Sequence, residues 1–117
     1  MSVSSLALEL AQETAQRAYI LRLDILDRSA NLIKVRLYIT LDLFVQVYRN
    51  DRFDTTNFAL IYNERRIHAR DQLGGKWHRH SLPDPEHHDE SEDAQHSVSL
   101  PEFLDEVESV LASLGLP

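Results

Sequence analysis

Strict alternation of apolar and polar residues near the middle of the chain constrains the fold more than any other feature. Between positions 33 and 39 every second residue is aliphatic, and Lys34, Arg36 and Tyr38 lie between them. Successive side chains of a β-strand point to opposite faces, so this pattern predicts a strand with one buried face. The sequence therefore predicts a sheet that is covered on one side and half-exposed on the other.

Several further segments have strand-like composition and are separated by turn residues. They are residues 19–25, 43–48, 57–62, 66–71 and 76–80. Two consecutive glycines at positions 74 and 75 predict a tight hairpin between the last two segments. Short strands joined by turns favour a meander, so we predict an antiparallel sheet of about six strands.

Helical patterns flank the predicted sheet. Residues 5–15 are rich in strong helix formers and predict a short N-terminal helix. Near the C-terminus, Ser99 and Glu102 form a capping-box pattern, and Gly115 marks a helix end. The apolar residues between them recur at helical spacing, so this amphipathic helix should pack on one face of the sheet. The predicted fold class is therefore α+β.

Length and composition exclude several protein classes. The chain has 117 residues, the common size of one domain, so we expect a single α+β domain over 1–117. It has no cysteine, which excludes disulfides, thiolate metal sites and cysteine nucleophiles. No apolar run approaches the roughly 20 residues that span a bilayer, and no signal-peptide pattern is present. We expect a cytoplasmic protein with no membrane partner.

Charge is unevenly distributed along the chain. All twelve Lys and Arg residues lie between positions 17 and 79, whereas residues 81–117 carry ten acids. A basic centre can bind nucleic acid, or the acidic part can pair with it. The net charge of −7 argues against a dedicated duplex-DNA binder. Residues 81–98, which are polar and contain His and Pro, are predicted to form an acidic loop.

Histidines and arginines concentrate on both sides of the double-glycine turn. Strand alternation places Arg66, His68 and Arg70 on one face, and His78 and His80 on one face of the next strand. If the hairpin register agrees, these five side chains meet in one patch. Histidine transfers protons near neutral pH, and arginine binds phosphate oxygens. The five are therefore candidate catalytic residues of a ribonuclease that requires no cofactor.

The same histidines offer a second chemistry. His78 and His80 form an H-x-H pair, a spacing that chelates divalent ions. The candidates that would complete such a site from the following segment are His87 and His88, with Asp84, Asp89 and His96 as further choices. A divalent metal such as zinc is the cofactor that this alternative implies.

Aromatic residues in the predicted strands also have two interpretations. Tyr38, Phe44, Tyr48 and Phe53 would stack single-stranded bases if they lay exposed on an open sheet. Packing in the core or in an interface is the other interpretation, and the choice depends on the strand register.

One series of residues follows the predicted strands in a recognisable order: Arg70-Asp71, then His78 and His80, then Pro85, His87 and His88. With the order of elements, this series distantly resembles the TumE-like toxin family of type II toxin–antitoxin systems. The resemblance covers roughly residues 30–114. It implies a bacterial protein that acts on RNA or the translation machinery and is neutralised by an antitoxin.

Three functions are therefore compatible with the sequence. The first is an RNA-directed, toxin-like protein, a candidate ribonuclease, with an antitoxin and RNA as partners. The second is a non-catalytic interaction module that uses the open sheet or an edge strand, including a homodimer through the sheet. The third is a histidine-based metal-binding protein.

Overall fold

A sheet covered on one face by two helices forms the architecture of the chain. The computed structural model describes residues 1–81, 84–89, 91–92 and 94–117, with the backbone alone for 84–89. Within these ranges the sheet has seven strands that follow one another in chain order, and each pairs antiparallel with the next. The elements are α1 (Val3–Gln16), β1 (Arg22–Arg28), β2 (Leu32–Thr40), β3 (Leu43–Asn50), β4 (Thr55–Tyr62), β5 (Arg65–Leu73), β6 (Lys76–Ser81), β7 (Asp84–Asp89) and α2 (Leu100–Leu114).

The predicted α+β fold class is confirmed, and the sheet gains one strand. Strand β7 lies in the segment predicted as a loop and pairs with β6 through Arg79 opposite Asp89 and Ser81 opposite Asp84. Backbone hydrogen bonds define the pairing of adjacent strands, so a strand does not require apolar alternation in the sequence. A polar segment with prolines carries no such pattern, which explains why the strand was not predicted.

The core lies between the sheet and the helices. Alternate residues of β2, β3 and β4 point toward the helices and are almost fully buried. Full burial of one such aliphatic or aromatic side chain contributes about 1.5–3 kcal/mol. A slip of one residue would turn a whole row to solvent, so these rows fix the register of the three strands. The rows consist of Ile33, Val35, Leu37, Ile39, Leu43, Val45, Val47, Phe58 and Leu60.

Helix α1 begins where two side chains accept its first backbone N–H groups. The Ser2 hydroxyl accepts a hydrogen bond from the N–H of Ser5 at 3.1 Å. Asp51, just after β3, accepts one from the N–H of Val3 at 3.0 Å. The bond from Val3 holds the pKa of the Asp51 carboxyl below its usual range. The start of α1 is therefore anchored to the end of β3.

Helix α2 begins and ends at the predicted residues. Ser99 and Glu102 form a reciprocal capping box, with bonds of 3.3 Å and 3.0 Å. Gly115 ends the helix at a φ of 66°, a left-handed conformation that favours glycine. No helix in the described ranges is long and apolar enough to cross a membrane. The stripe buried on the sheet consists of Leu100, Phe103, Leu104, Val107 and Leu111.

Arg17 joins the end of α1 to α2. Its guanidinium donates to Glu13 at 2.9 Å, to Asp105 at 3.0 Å and to Glu108. The hydroxyl of Tyr19 donates to the same Glu108 carboxylate at 3.2 Å. Partial burial, together with the nearby Glu108 charge, raises the pKa of Tyr19 to about 12.

This raised pKa predicts a loss of stability at alkaline pH. The unfolded chain loses the tyrosine proton near pH ~10. The Tyr19 contribution to the free energy of unfolding should therefore be complete below about pH 10 and fall as pH rises toward about 12. Denaturant unfolding of the wild type and of Tyr19→Phe across this pH range gives the free energy of unfolding of each protein. The difference between the two pH profiles is the Tyr19 contribution. The same pH dependence in both proteins would contradict the assignment.

Candidate active site

The register of β5 and β6 decides which predicted site residues meet. His68 lies opposite Leu60 of β4, and Arg70 lies opposite both Phe58 of β4 and Arg79 of β6. Because directly opposed residues share a face, His68, Arg70 and Arg79 lie on the face that the helices cover. Strand β5 thus places polar side chains where β2–β4 place apolar ones.

The remaining predicted catalytic residues lie on the other face. His78 is opposite Asp71 and His80 is opposite Ala69, two positions of β5 that alternate with Arg70. Arg66 contacts His80 rather than His68. The expectation that Arg66, His68, Arg70, His78 and His80 meet in one patch is therefore wrong.

A β-bulge and the hairpin register explain this separation. The pairing of β4 with β5 shifts between Leu60 opposite His68 and Ile61 opposite Arg66, so Ile67 is an extra residue in β5. One extra residue reverses the facing of everything beyond it, which puts Arg66 and His68 on opposite faces. Strand alternation read from sequence assumes that no bulge occurs.

A groove lies on the helix side between β5, β6 and α2, and we call it the α2 groove. Its volume is about 550 Å³, which is within the range of sites that hold small ligands. Histidine, arginine and carboxylate side chains meet there, on the face that also carries the apolar core. The residues that line it are His68, Arg70, Arg79, His96, Ser97, Val98, Glu102, Glu106, Ser109 and Val110.

A histidine–carboxylate pair forms one wall of the α2 groove. The Nε2 atom of His68 lies 2.7 Å from the Oε1 atom of Glu106, and its ring stacks on Phe103 with a centroid distance of 5.6 Å. His68 is buried, whereas Glu106 is partly exposed. Contact with a carboxylate places the hydrogen of a neutral imidazole on Nε2 and leaves the Nδ1 lone pair available.

The Nδ1 atom of His68 is the chemically open part of this pair. It is buried and has no hydrogen-bond partner within the described part of the chain. The same holds for the Nε atom of Arg70. Buried polar atoms normally find partners, so these two atoms beside the groove are candidate contacts for a bound ligand.

Two arginines bring positive charge to the same place. Arg70 is almost fully buried, donates to the carbonyl of His96 at 3.2 Å, and lies 3.9 Å from Glu106. Arg79 is directly opposite Arg70 on the neighbouring strand and also lines the groove. Guanidinium groups present planar sets of donors that match phosphate oxygens. An anionic ligand would find these donors beside two carboxylates, Glu102 and Glu106, which line the same groove.

The other face carries a closed polar network that we call the outer cluster. Asp71 lies 3.2 Å from Nε2 of His80, Arg66 lies 3.3 Å from its Nδ1, and Asn57 donates to Asp71. A guanidinium can only donate, so Nδ1 of His80 accepts and Nε2 carries the hydrogen. His80 is 1% exposed. The Nδ1 atom contacts Arg66, the Nε2 atom lies beside the Asp71 carboxylate, and the ring is shielded from solvent, which favours a structural role for the outer cluster.

The proposed metal ligands are placed only in part. His78 and His80 share a face, as the H-x-H pattern predicts. The side chains of His87 and His88 lie outside the described residues. Among the side chains that are described, no group of three or more His, Asp or Glu residues is arranged to hold a metal ion. Metal binding by these histidines stays a prediction.

Glu106 and Arg79 were not predicted as site residues, and His96 was predicted only as a metal ligand. Glu106 follows Phe103 by three positions on α2, and helical spacing puts both on one side of the helix. Arg79 lies between His78 and His80, so alternation puts it on the face that they do not occupy. His96 reaches the groove from the segment before α2. The first two signals were present in the sequence, but they required the correct hairpin register.

Comparisons with models of protein families, with curated proteins and with solved structures gave no match for this chain. The resemblance to the TumE-like toxins therefore stays a prediction. The geometry of the α2 groove carries the functional argument.

The outer cluster makes a direct prediction about stability. Asp71→Ala leaves buried His80 and Arg66 without their shared carboxylate, so we expect the free energy of unfolding to fall by about 2–3 kcal/mol. Urea denaturation measures this change. Lys76→Ala, an exposed substitution on β6, is the matched control and should stay within about 0.5 kcal/mol of wild type. Equal stability of the two variants would show that the outer cluster contributes nothing.

Proposed function

We propose that the α2 groove cleaves RNA by metal-independent acid–base chemistry and that the protein is a toxin-like ribonuclease. The observation that carries the proposal is the His68–Glu106 pair beside Arg70 and Arg79 in one groove. A base, a proton donor and a clamp for phosphate are the groups that such cleavage requires.

The proposed reaction begins at Nδ1 of His68. This atom removes the proton from a ribose 2′-hydroxyl, and the resulting oxygen attacks the adjacent phosphorus. Glu106 stabilises the imidazolium that forms, because its carboxylate already contacts Nε2 at 2.7 Å. The P–O bond to the next nucleoside breaks, and the products are a 2′,3′-cyclic phosphate and a 5′-hydroxyl.

Two further roles complete the reaction. His96 is exposed, lines the same groove and is the imidazole that would protonate the departing 5′-oxygen. Arg70 and Arg79 donate to the phosphate oxygens as negative charge develops on them. The proposal gives no catalytic role to Arg66, His78 or His80, which lie on the opposite face.

The resemblance to TumE-like toxins supplies the biological setting of the proposal. A ribonuclease of this kind would act on cytoplasmic RNA and would be neutralised by an antitoxin protein. An antitoxin that covers the α2 groove would block substrate directly.

Cleavage of total bacterial RNA by the purified protein tests the proposal. We expect cleavage by wild type that persists in EDTA. His68→Gln and Glu106→Gln should each reduce the rate, His68→Gln by about 100-fold or more, because general-base catalysis contributes about 10²–10⁴-fold. Arg79→Gln changes a phosphate-binding side chain of the groove that is only partly buried, so this variant tests the groove without removing a core residue. Cyclic phosphate ends on the products identify the reaction.

His78→Gln is the matched control, since it changes a histidine of the neighbouring strand on the opposite face. It should cleave as wild type does. Loss of activity in His78→Gln with full activity in His68→Gln would overturn the assignment to the α2 groove. Complete loss in EDTA would instead support the metal-binding alternative.

A second candidate function is a non-catalytic interaction module, and the edge strand β1 favours it. Ile25 and Leu26 are 53% and 46% exposed, beside an apolar depression between α1 and β1. An exposed edge strand can pair with a partner protein or a second copy of the chain. The register shift between Ile25 and Asp27 interrupts that edge, so we place this function second.

A further inference from the structure

A row of stacked aromatic and arginine side chains crosses the sheet face that the helices leave uncovered. The guanidinium of Arg22 lies 4.4 Å from the ring centroid of Tyr38, and that of Arg36 lies 4.6 Å from the centroid of Phe44. The two rings are 5.2 Å apart. We call these four side chains the aromatic platform.

The register of β1, β2 and β3 brings the side chains of the aromatic platform together. Arg22, Tyr38 and Phe44 are directly opposed on β1, β2 and β3, so they form one row across three strands. Arg36 lies two residues before Tyr38 on the same face and is within 3.4 Å of its hydroxyl. On the same face, the next row pairs Arg36 with Gln46, and the row beyond it pairs Lys34 with Tyr48. The pairing of rings with guanidinium groups fixes the orientation of both before any ligand binds.

A depression in the protein surface lies next to the aromatic platform. It has a volume of about 450 Å³, and Arg36, Tyr38, Phe44 and Ile61 form its floor and sides. Asp42 and Glu64 also line it. Aromatic rings and guanidinium planes stack on nucleobases, whereas carboxylates accept hydrogen bonds from exocyclic amino groups of bases.

We infer that the aromatic platform and its depression bind single-stranded RNA. The inference rests on the proposed function, since it adds a second contact surface for the same substrate class. Bases would stack on the platform and enter the depression, and phosphates would lie toward Lys34 and Arg36. Arg22 is paired with Asp24 at 3.1 Å, so Lys34 and Arg36 carry most of the phosphate contact.

The distribution of charge favours a single strand over a duplex. Two cations beside stacked rings provide a short contact in which base stacking carries the affinity. Duplex binding depends on many phosphate contacts, and a chain of net charge −7 offers few. The aromatic platform and the α2 groove lie on opposite faces of the sheet, so the platform holds a part of the RNA away from the bond that is cleaved.

Binding of a non-cleavable RNA tests this inference. The probe is a fluorescein-labelled, fully 2′-O-methylated oligoadenylate of about 12 nucleotides, a length within the site sizes of single-strand binders. It has no free 2′-hydroxyl, so fluorescence anisotropy reports binding without cleavage. We expect Phe44→Leu and Tyr38→Leu each to weaken binding about tenfold, since one stacked base contributes about that factor or more.

Matched variants separate stacking from charge. Phe53→Leu removes an exposed aromatic ring in the turn after β3, outside the platform, and should bind as wild type does. Lys34→Gln should weaken binding and lower the salt dependence by about one phosphate contact. Equal binding by Phe44→Leu, Tyr38→Leu and wild type would overturn the inference.

The experiment also distinguishes this inference from the proposed function. Failure of the wild type to bind the probe overturns the platform inference whether or not it cleaves RNA. Binding that requires the platform, with no cleavage of total RNA, overturns only the ribonuclease proposal. A second copy of the chain is the alternative partner for this sheet face, and sedimentation at the same protein concentrations tests for such a dimer. A dimer that Phe44→Leu dissociates, with no probe bound, would assign this face to a second copy.

Discussion

The contact between His68 on β5 and Glu106 on α2 is the interaction on which the proposed site depends. Strands β2 to β4 fill the helix side of the sheet with apolar side chains, but β5 places an imidazole and a guanidinium there. A buried polar group without a partner costs about 1–3 kcal/mol. The bond of 2.7 Å offsets that cost at Nε2 of His68 and, together with the stacked Phe103 ring, joins α2 to β5. The α2 groove exists because the two elements meet here through polar groups instead of closing over an apolar core.

The rest of the fold positions α2 for this contact. The capping box at Ser99 fixes where the helix begins, so Phe103 and Glu106, three residues apart, both face β5. On the other side of the helix, Arg17 contacts carboxylates of α2 and holds it to α1. The inward rows of β2–β4 are mostly apolar, whereas β5 places His68 and Arg70 on the same face of the sheet.

Features that the sequence predicted correctly share one physical cause, which is a strong difference between a buried and an exposed face. The alternation around Val35 and the apolar stripe of α2 both led to the observed elements. The candidate site was predicted less well, because it depends on pairing between strands. Ile67 is an extra residue in β5 and puts Arg66 and His68 on opposite faces of the sheet. The alternation of residues within a single strand does not reveal such a bulge. Glu106 is distant in sequence from His68, so only the packing of α2 reveals the pair.

The central claim is that the reactive side chains lie in the α2 groove and not on the opposite face. Side-chain NMR of the six histidines, assigned with single substitutions, tests it during titration with a nucleoside 3′-monophosphate, a product analogue. The account predicts that the resonances of His68 and His96 shift together and saturate, while those of His78 and His80 stay unchanged. It also predicts the Nε2–H tautomer for His68 before the ligand is added. Saturating shifts at His78 and His80, with His68 unchanged, would contradict the account.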